Sequence, residues 1–215
     1  LKQDAFDNKI SALRAQMNPH FIFNSLNSIQ HLITSDKKEA AVKYLNKFSL
    51  LMRNLLESSI ESNIVLTDEI KLLHKYLELE SLRFDYAFSY QIEVHENLNP
   101  DSVEMPILIV QPFVENAILH GLLSKKNGDK KLHILFRKEK NILICEIDDN
   151  GIGRHASEHL KPLLKKTRKS RGISVTENRL QIQNQFEENN ITIIDKVDKN
   201  GEASGTKVII KIQID

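Results

Sequence analysis

Apolar residues in this chain repeat with two different periods, and the change between them near residue 85 constrains the fold more than any other feature. Up to Arg83 they recur every three or four positions, which lines one face of an α-helix. From Phe88 the period is two. Phe88, Tyr90, Ile92 and Val94 alternate with polar residues, as on a half-buried strand. A segment patterned for one period cannot bury its apolar side in the other. Helices therefore come first, and strands mixed with helices follow.

Phe6, Ile10, Leu13 and Met17 form one helical stripe, and Ile22, Leu26, Ile29 and Ile33 form a second. At about 100° per residue the second stripe falls on roughly the opposite face. Pro19 lies at the changeover, where a proline removes one helical hydrogen bond and kinks the helix. Asp36 with Glu39 reads as a capping box, opening a helix that carries Ala41, Leu45, Phe48, Met52 and Leu55. Two such helices joined by a short turn make a hairpin. Each has more apolar surface than one partner covers, so two hairpins are expected to pair as a four-helix bundle in a homodimer. The polar run 58–63 reads as a linker. Thr67 then serves as the expected N-cap, with Asp68 and Glu69 behind it, of a connecting helix over 67–83.

The remainder reads as a helix over 105–123, a strand at Leu132, Ile134 and Phe136, and an apolar strand over 142–147. A basic loop over 151–171 and a helix over 174–187 come next. Strands at 191–194 and at Val208, Ile210, Ile212 and Ile214 close the chain, with Asn200-Gly201 in the turn between them. Helices over one face of a mixed or antiparallel sheet give an α+β layer domain. The expected division is 1–62 for the hairpin and 63–215 for the layer domain with its connecting helix.

Composition excludes some function classes. A formal net charge of +1 gives no general reason to expect nucleic acid or an anionic membrane surface as partner. The one cysteine, Cys145, sits in the apolar run ILICEI, reads as a core residue, and allows no intrachain disulfide. No apolar run reaches the ~18 residues of a transmembrane helix. Because the sequence opens at Leu1 within a helical pattern, it reads as a piece of a longer chain whose other part holds any membrane spans.

Six segments carry residues suited to chemistry. In NPHFIFN, His20 shares a helix face with Asn24 and Asn27, away from the apolar stripe. An exposed neutral imidazole is a nucleophile toward phosphorus, although a surface histidine on a helix is by itself ordinary. In QPFVENAILHG, Glu115, Asn116 and His120 interrupt an otherwise apolar segment, and an amide oxygen suits magnesium. DDNGIG follows an apolar strand and places Asp149 at a sheet edge, with Gly151 and Gly153 letting backbone approach a ligand. That carboxylate can accept from an adenine amino group. The loop after it holds Lys161, Lys165, Lys166, Arg168, Lys169 and Arg171, cations that would offset triphosphate charge. SRGIS and SGTKVIIKI supply Gly172, Gly205 and Thr206, where a glycine before a helix frees N–H groups for phosphate.

In this order the segments resemble the LytS-like sensor histidine kinases. LRAQMNPHFIFNSLNSI is similar to their phosphoacceptor helix and ILIVQPFVENAILHG to their N box. IDDNGIG and SRGIS resemble the two glycine boxes, and SGTKVIIKI the closing Gly-Thr segment. The resemblance spans nearly the whole chain, and NPHFIFN followed about ninety residues later by QPFVENA is its most specific part.

The resemblance implies a dimerisation and phosphoacceptor hairpin followed by a Bergerat-type ATP-binding domain, an α/β sandwich. It implies ATP and magnesium as cofactors, with autophosphorylation on His20. Asn116 would hold the metal, with His120 beside the nucleotide. Asp149 would contact adenine, Gly151 and Gly153 would hinge an ATP lid, and Arg171 with Gly172 would lie by the phosphates. Gly205 and Thr206 would close the adenine pocket. The phosphate would pass to an aspartate in the receiver domain of a response regulator, often one with a LytTR DNA-binding output. Such kinases are the cytoplasmic part of membrane proteins. Three positions depart from the family pattern: Ser174 replaces the second glycine of its box, Leu119 stands where many relatives have lysine, and Phe21 follows the histidine where many have an acid. Glu115 is the candidate for polarising His20 or a water, and Asn24, one turn from His20, the candidate for orienting a water in regulator dephosphorylation. A Bergerat-fold serine kinase or ATPase would need no phosphoacceptor histidine. A catalytically silent ATP-binding dimer is the other alternative, suggested by the departure at Ser174.

Overall fold

The computed structural model describes residues 19–58, 63–154 and 190–214. The stripe from Phe6 to Met17, the linker over 59–62 and the helix expected over 174–187 lie outside the described residues. Two compact units are present. One takes in the chain up to Tyr86 together with Pro106–Leu108; the other takes in Ala87–Met105 and the chain from Ile109.

The first unit holds three helices, α1 (Pro19–Thr34), α2 (Lys38–Ser58) and α3 (Leu66–Arg83), with a short strand β1 (Asn63–Val65) ahead of α3. The turn between α1 and α2 differs from the expected capping box. Asp36 takes a left-handed φ of 58°, its N–H donates to the Ile33 carbonyl at 3.1 Å, and that of Lys37 donates to Leu32 at 2.9 Å. This pair of bonds is a Schellman motif, so Asp36 closes α1 instead of opening α2. The buried stripe of α2 is Ala41, Tyr44, Phe48, Leu51 and Leu55, facing Phe21 and Ile29 of α1. Leu26, Ile33 and Leu45, which the period places on the apolar side, are exposed. These helices, apolar on two sides, bury one side within the chain and expose the other. The Phe21 ring packs 6.1 Å from Phe48 and 5.2 Å from Tyr76 of α3, centroid to centroid. Burying the Tyr44 hydroxyl raises its pKa, and it donates to Ser25 Oγ at 3.4 Å.

Helix α3 begins at Leu66, one residue before Thr67, and Val65 precedes it with no side-chain cap. The strand β1 runs straight into it, which leaves Thr67 inside the first turn with Asp68 and Glu69. Glu69 is buried and its Oε2 accepts the Leu108 N–H at 3.2 Å, holding Leu108 at a left-handed φ of 60°. That conformation, together with Pro106, keeps the helix expected from residue 105 from starting before Gln111.

The second unit is a five-stranded mixed sheet. Its strands are β2 (Ser89–Val94), β4 (Lys131–Glu139), β5 (Ile142–Asp149), β6 (Ile191–Val197) and β7 (Ala203–Gln213), in the order β2-β4-β5-β7-β6. The short strand β3 (Glu104–Pro106) lies between β2 and the helical segment. β2 pairs parallel to β4, and every other pair in the sheet is antiparallel. Leu132, Ile134 and Phe136 of β4 lie beside Leu143, Cys145 and Ile147 of β5 and Ile210 and Ile212 of β7, all buried. Phe113, Val114, Ala117, Ile118 and Leu122 from the helical segment after Val110 complete this core. The other face carries ion pairs, Asp148 with Lys196 and Glu146 with both Arg137 and Lys207. The class is α+β, as the change of period requires.

Candidate functional site

The segment QPFVENAILHG folds as a short α-helix, α4 (Gln111–Asn116), that continues as a π-helix over Ala117–Leu122. Pro112 suits the first turn, where its missing N–H has no helical acceptor. In the wider turn the Leu123 N–H reaches the Ile118 carbonyl at 2.9 Å. π-helical turns are rare and gather at functional sites, where the extra residue per turn re-aims side chains. Asn116 stands at the junction. It is half-buried overall, but its amide nitrogen Nδ2 is shielded from solvent and has no hydrogen-bond partner. Buried polar atoms are nearly always paired, and an orphan of this kind needs an explanation. Glu115 beside it is half-buried, and His120 is exposed.

Gly121, in the π turn, lies against the carboxylate of Asp149. A Cβ at Gly121 would come within 2.8 Å of Asp149 Oδ1. Asp149 ends β5, a strand with a neighbour on each side, so it sits inside the sheet and not at its edge as expected. The sequence shows which residues form β7 but not that β7 returns to pair beside β5. Asp149 is only 4% exposed. Burial pushes its carboxyl up to about 6, against hydrogen bonds from the Gly151 and Thr206 main chain and attraction by Lys196. The Gly151 N–H donates to Asp149 Oδ1 at 2.8 Å.

Three more glycines complete a tight cradle. A Cβ on Gly151 would lie 2.3 Å from the Gly121 carbonyl carbon, and the Ile152 N–H donates to that carbonyl at 3.3 Å. Gly205, at φ 124°, passes so close to Asp149 that a Cβ would lie 2.0 Å from its main-chain oxygen. Gly153, at φ 74°, lies beside Ala203 and Gly205. Thr206 stands opposite Asp149 in the β5–β7 register. Of the residues singled out in the sequence, Asp149, Gly151, Gly153, Gly205 and Thr206 therefore converge. Next to Gly153, Arg154 makes a two-pronged bond to Asp195 of β6 at 2.7 and 2.6 Å.

His20 and Asn24 belong to the other unit, His20 in the first turn of α1 and Asn24 one turn later and half-buried. Arg171 and Gly172 lie outside the described residues, as does the basic loop after Arg154. Gly121 is the site residue that sequence reasoning passed over. The available signal was a glycine closing an apolar helical run.

A buried carboxylate at a strand end, backed by glycines, can accept from an exocyclic amine on a flat ring. The Asn116 amide fits a hard cation and its phosphate ligands, since either its oxygen or its nitrogen can face them. Among the described residues no group of three or more His, Cys, Asp or Glu side chains is placed to hold a metal ion. A magnesium ion held by Asn116 would accordingly take its remaining ligands from phosphate and water.

The histidine kinase family model matches residues 8–88. The sensor histidine kinase BtsS of Escherichia coli (strain K12) is 37% identical over 145 residues, which is 66% of this chain and 25% of that protein. The sensor protein LytS of Enterococcus faecalis is 31% identical over 159 residues, 74% of this chain and 26% of that protein. Among solved structures, the catalytic domain of the histidine kinase ThkA is similar over 70% of this chain and 94% of its own, at 14% identity and a TM-score of 0.45. That last likeness is too slight to weigh. The class is that of the histidine kinases. Within it the chain belongs to the LytS- and BtsS-like sensor histidine kinases, of whose curated members it spans about a quarter. Among the described residues no helix is long and apolar enough to cross a membrane.

Proposed function

We propose that this chain is the phosphoacceptor and ATP-binding part of a two-component sensor kinase, which phosphorylates its own His20 from ATP. The observation that carries the reading is the buried, partnerless amide nitrogen of Asn116, in the same unit as the Asp149 cradle. Adenine would donate its amino hydrogen to Asp149, with Gly151, Gly153, Gly205 and Thr206 around the ring. Asn116 and His120 would lie toward the phosphates, and Arg171 and Gly172 would approach them from the basic segment. Magnesium would be held by Asn116, and when bound it would supply neutralisation of phosphate charge. A ring nitrogen of His20 would form a bond to the γ-phosphorus as the bond to the β–γ bridging oxygen breaks, releasing ADP. The displaced ring proton would pass to a base, for which Glu115 is the candidate. The phosphate would then move to an aspartate of a response regulator, such as one with a LytTR output. Asn24 would orient a water when that aspartyl phosphate is hydrolysed.

The test is incubation with γ-labelled ATP and magnesium. Acid-labile, alkali-stable label is expected on the wild type and none on His20→Gln. Glu115→Gln should label at least tenfold more slowly at unchanged ATP affinity. With a labelled receiver domain added, Asn24→Ala should slow release of phosphate. Acid-stable label would point to a serine kinase, and nucleotide binding without any label to a silent dimer.

The hairpin supports the homodimer. Phe23, Leu26 and Ile33 on α1 and Val42, Leu45 and Leu56 on α2 are large, apolar and exposed, at helical spacings. A second hairpin packed on these stripes would complete a four-helix bundle. Leu26→Lys combined with Leu45→Lys should turn dimer into monomer in sedimentation, with the helical content retained. A double variant that remained dimeric would remove this interface. The whole protein would carry membrane segments elsewhere and hold this part in the cytoplasm.

A further inference from the structure

The single residue between Asp149 and Gly151 is held at every polar atom. The Asn150 N–H donates to the Lys131 carbonyl at 3.2 Å, and its Oδ1 accepts the Lys131 N–H at 2.7 Å. Its Nδ2 donates to the Asp129 carbonyl at 2.9 Å. Its own carbonyl accepts from Lys125 Nζ at 2.9 Å, and the same ammonium reaches the Asp129 carbonyl at 2.9 Å. Lys125 lies shortly after the π-helix, so one cation joins the end of the Asn116 segment to the glycine box.

The peptide group explains why this matters. The Asn150 carbonyl and the Gly151 N–H belong to one planar unit and point in opposite directions. Lys125 holds the carbonyl end, and the N–H end donates to Asp149 Oδ1 at 2.8 Å. Rotating that peptide would break both bonds at once. The orientation of the carboxylate is thus coupled to a lysine that does not touch it.

We propose that Lys125 and Asn150 are positioning residues that lock the Asp149 carboxylate in the orientation selecting adenine over guanine. The proposal rests on the nucleotide-binding reading above. Adenine offers an amino donor where guanine offers a carbonyl acceptor, so a fixed carboxylate accepts the first and repels the second. A carboxylate free to turn would instead meet the two ring-edge donors of guanine, and discrimination would fall.

Lys125→Met keeps the length of the side chain and removes the donors. In the full chain, calorimetry should show ATP binding weakened on the order of tenfold and GTP binding little changed, so the ATP/GTP ratio falls about tenfold. Lys125→Arg, which can still donate to both carbonyls, should restore most of the ratio. Without nucleotide, amide exchange at Gly151 should speed up in Lys125→Met while that at Cys145, in the middle of β5, stays slow. An unchanged ratio, an equal loss for both nucleotides, or an unchanged Gly151 exchange rate overturns the proposal. A wild type that binds no ATP overturns the nucleotide reading itself. Gly151 exchange would still report whether the lysine sets the peptide.

Discussion

Asp149→Asn is expected to melt at a higher temperature than the wild type at pH 7.5 and to lose ATP affinity by on the order of 100-fold. Both effects come from one buried carboxylate. Its folded pKa is raised from the ordinary 3.8 to about 6. Below 3.8 the group is protonated folded and unfolded, and it contributes nothing. As pH rises from there to 6, the unfolded chain loses a proton that the folded chain keeps, and stability falls. Above 6 the loss is complete, at roughly 3 kcal/mol. Asparagine is neutral and close in shape, and its oxygen can still accept the Gly151 N–H, so it escapes that penalty. The melting temperatures of variant and wild type should coincide near pH 3.5, diverge between 4 and 6, and differ by several degrees thereafter. The cost appears in binding, because the amide turns a donor toward the adenine amino group. Wild-type affinity should likewise decline as pH drops below about 6. A gap in melting temperature that ignores pH would refute the buried-charge account, and ATP binding equal to wild type would remove Asp149 from the adenine site.

The second large effect is expected at Gly205. In Gly205→Ala the new Cβ would lie 2.0 Å from the Asp149 main-chain oxygen and 2.9 Å from the Asn150 Cα. Those neighbours are backbone at the end of the β5–β7 pairing, where Asp149 stands opposite Thr206, and cannot turn aside. The residue also sits at φ 124°, which side chains rarely adopt. Relief requires separating Asp149 from Thr206, and the loss should be about 4 kcal/mol or more, enough to lower the melting temperature by over ten degrees. Gly201→Ala is the internal comparison. Gly201 has φ 81° but nothing within 4 Å, so its substitution should cost only about 1 kcal/mol. Similar small losses at both positions, measured by thermal unfolding, would mean that the cradle opens more easily than its geometry implies.

These two residues also show where sequence reading stops. DDNGIG and SGTKVIIKI stood out as a strand-end carboxylate and a strand-end glycine, and both lie at the same end of the sheet. Nothing in either segment says that the carbonyl of one touches the Cα of the other. The same is true of Asp36, whose neighbours suggested a cap for the following helix. Its left-handed φ and the two bonds closing α1 depend on how the turn is drawn across by the packing of α1 on α2. Gly121 lay in plain view within QPFVENAILHG, and its role emerged only once the π turn brought it against Asp149.

Periodicity by itself determined that this chain is helical first and layered α+β afterwards, because the spacing of apolar side chains is a local property of each element. Spacing also determined which motifs lie on helices and which at strand ends. Tertiary structure alone decided the strand order, the face of α1 that is buried, the π-helical turn after Asn116 and the burial of Asp149. Each of these depends on which distant segment supplies the hydrogen-bond partner or the opposing surface. That choice is made by packing the whole chain and leaves no mark on any short stretch of it.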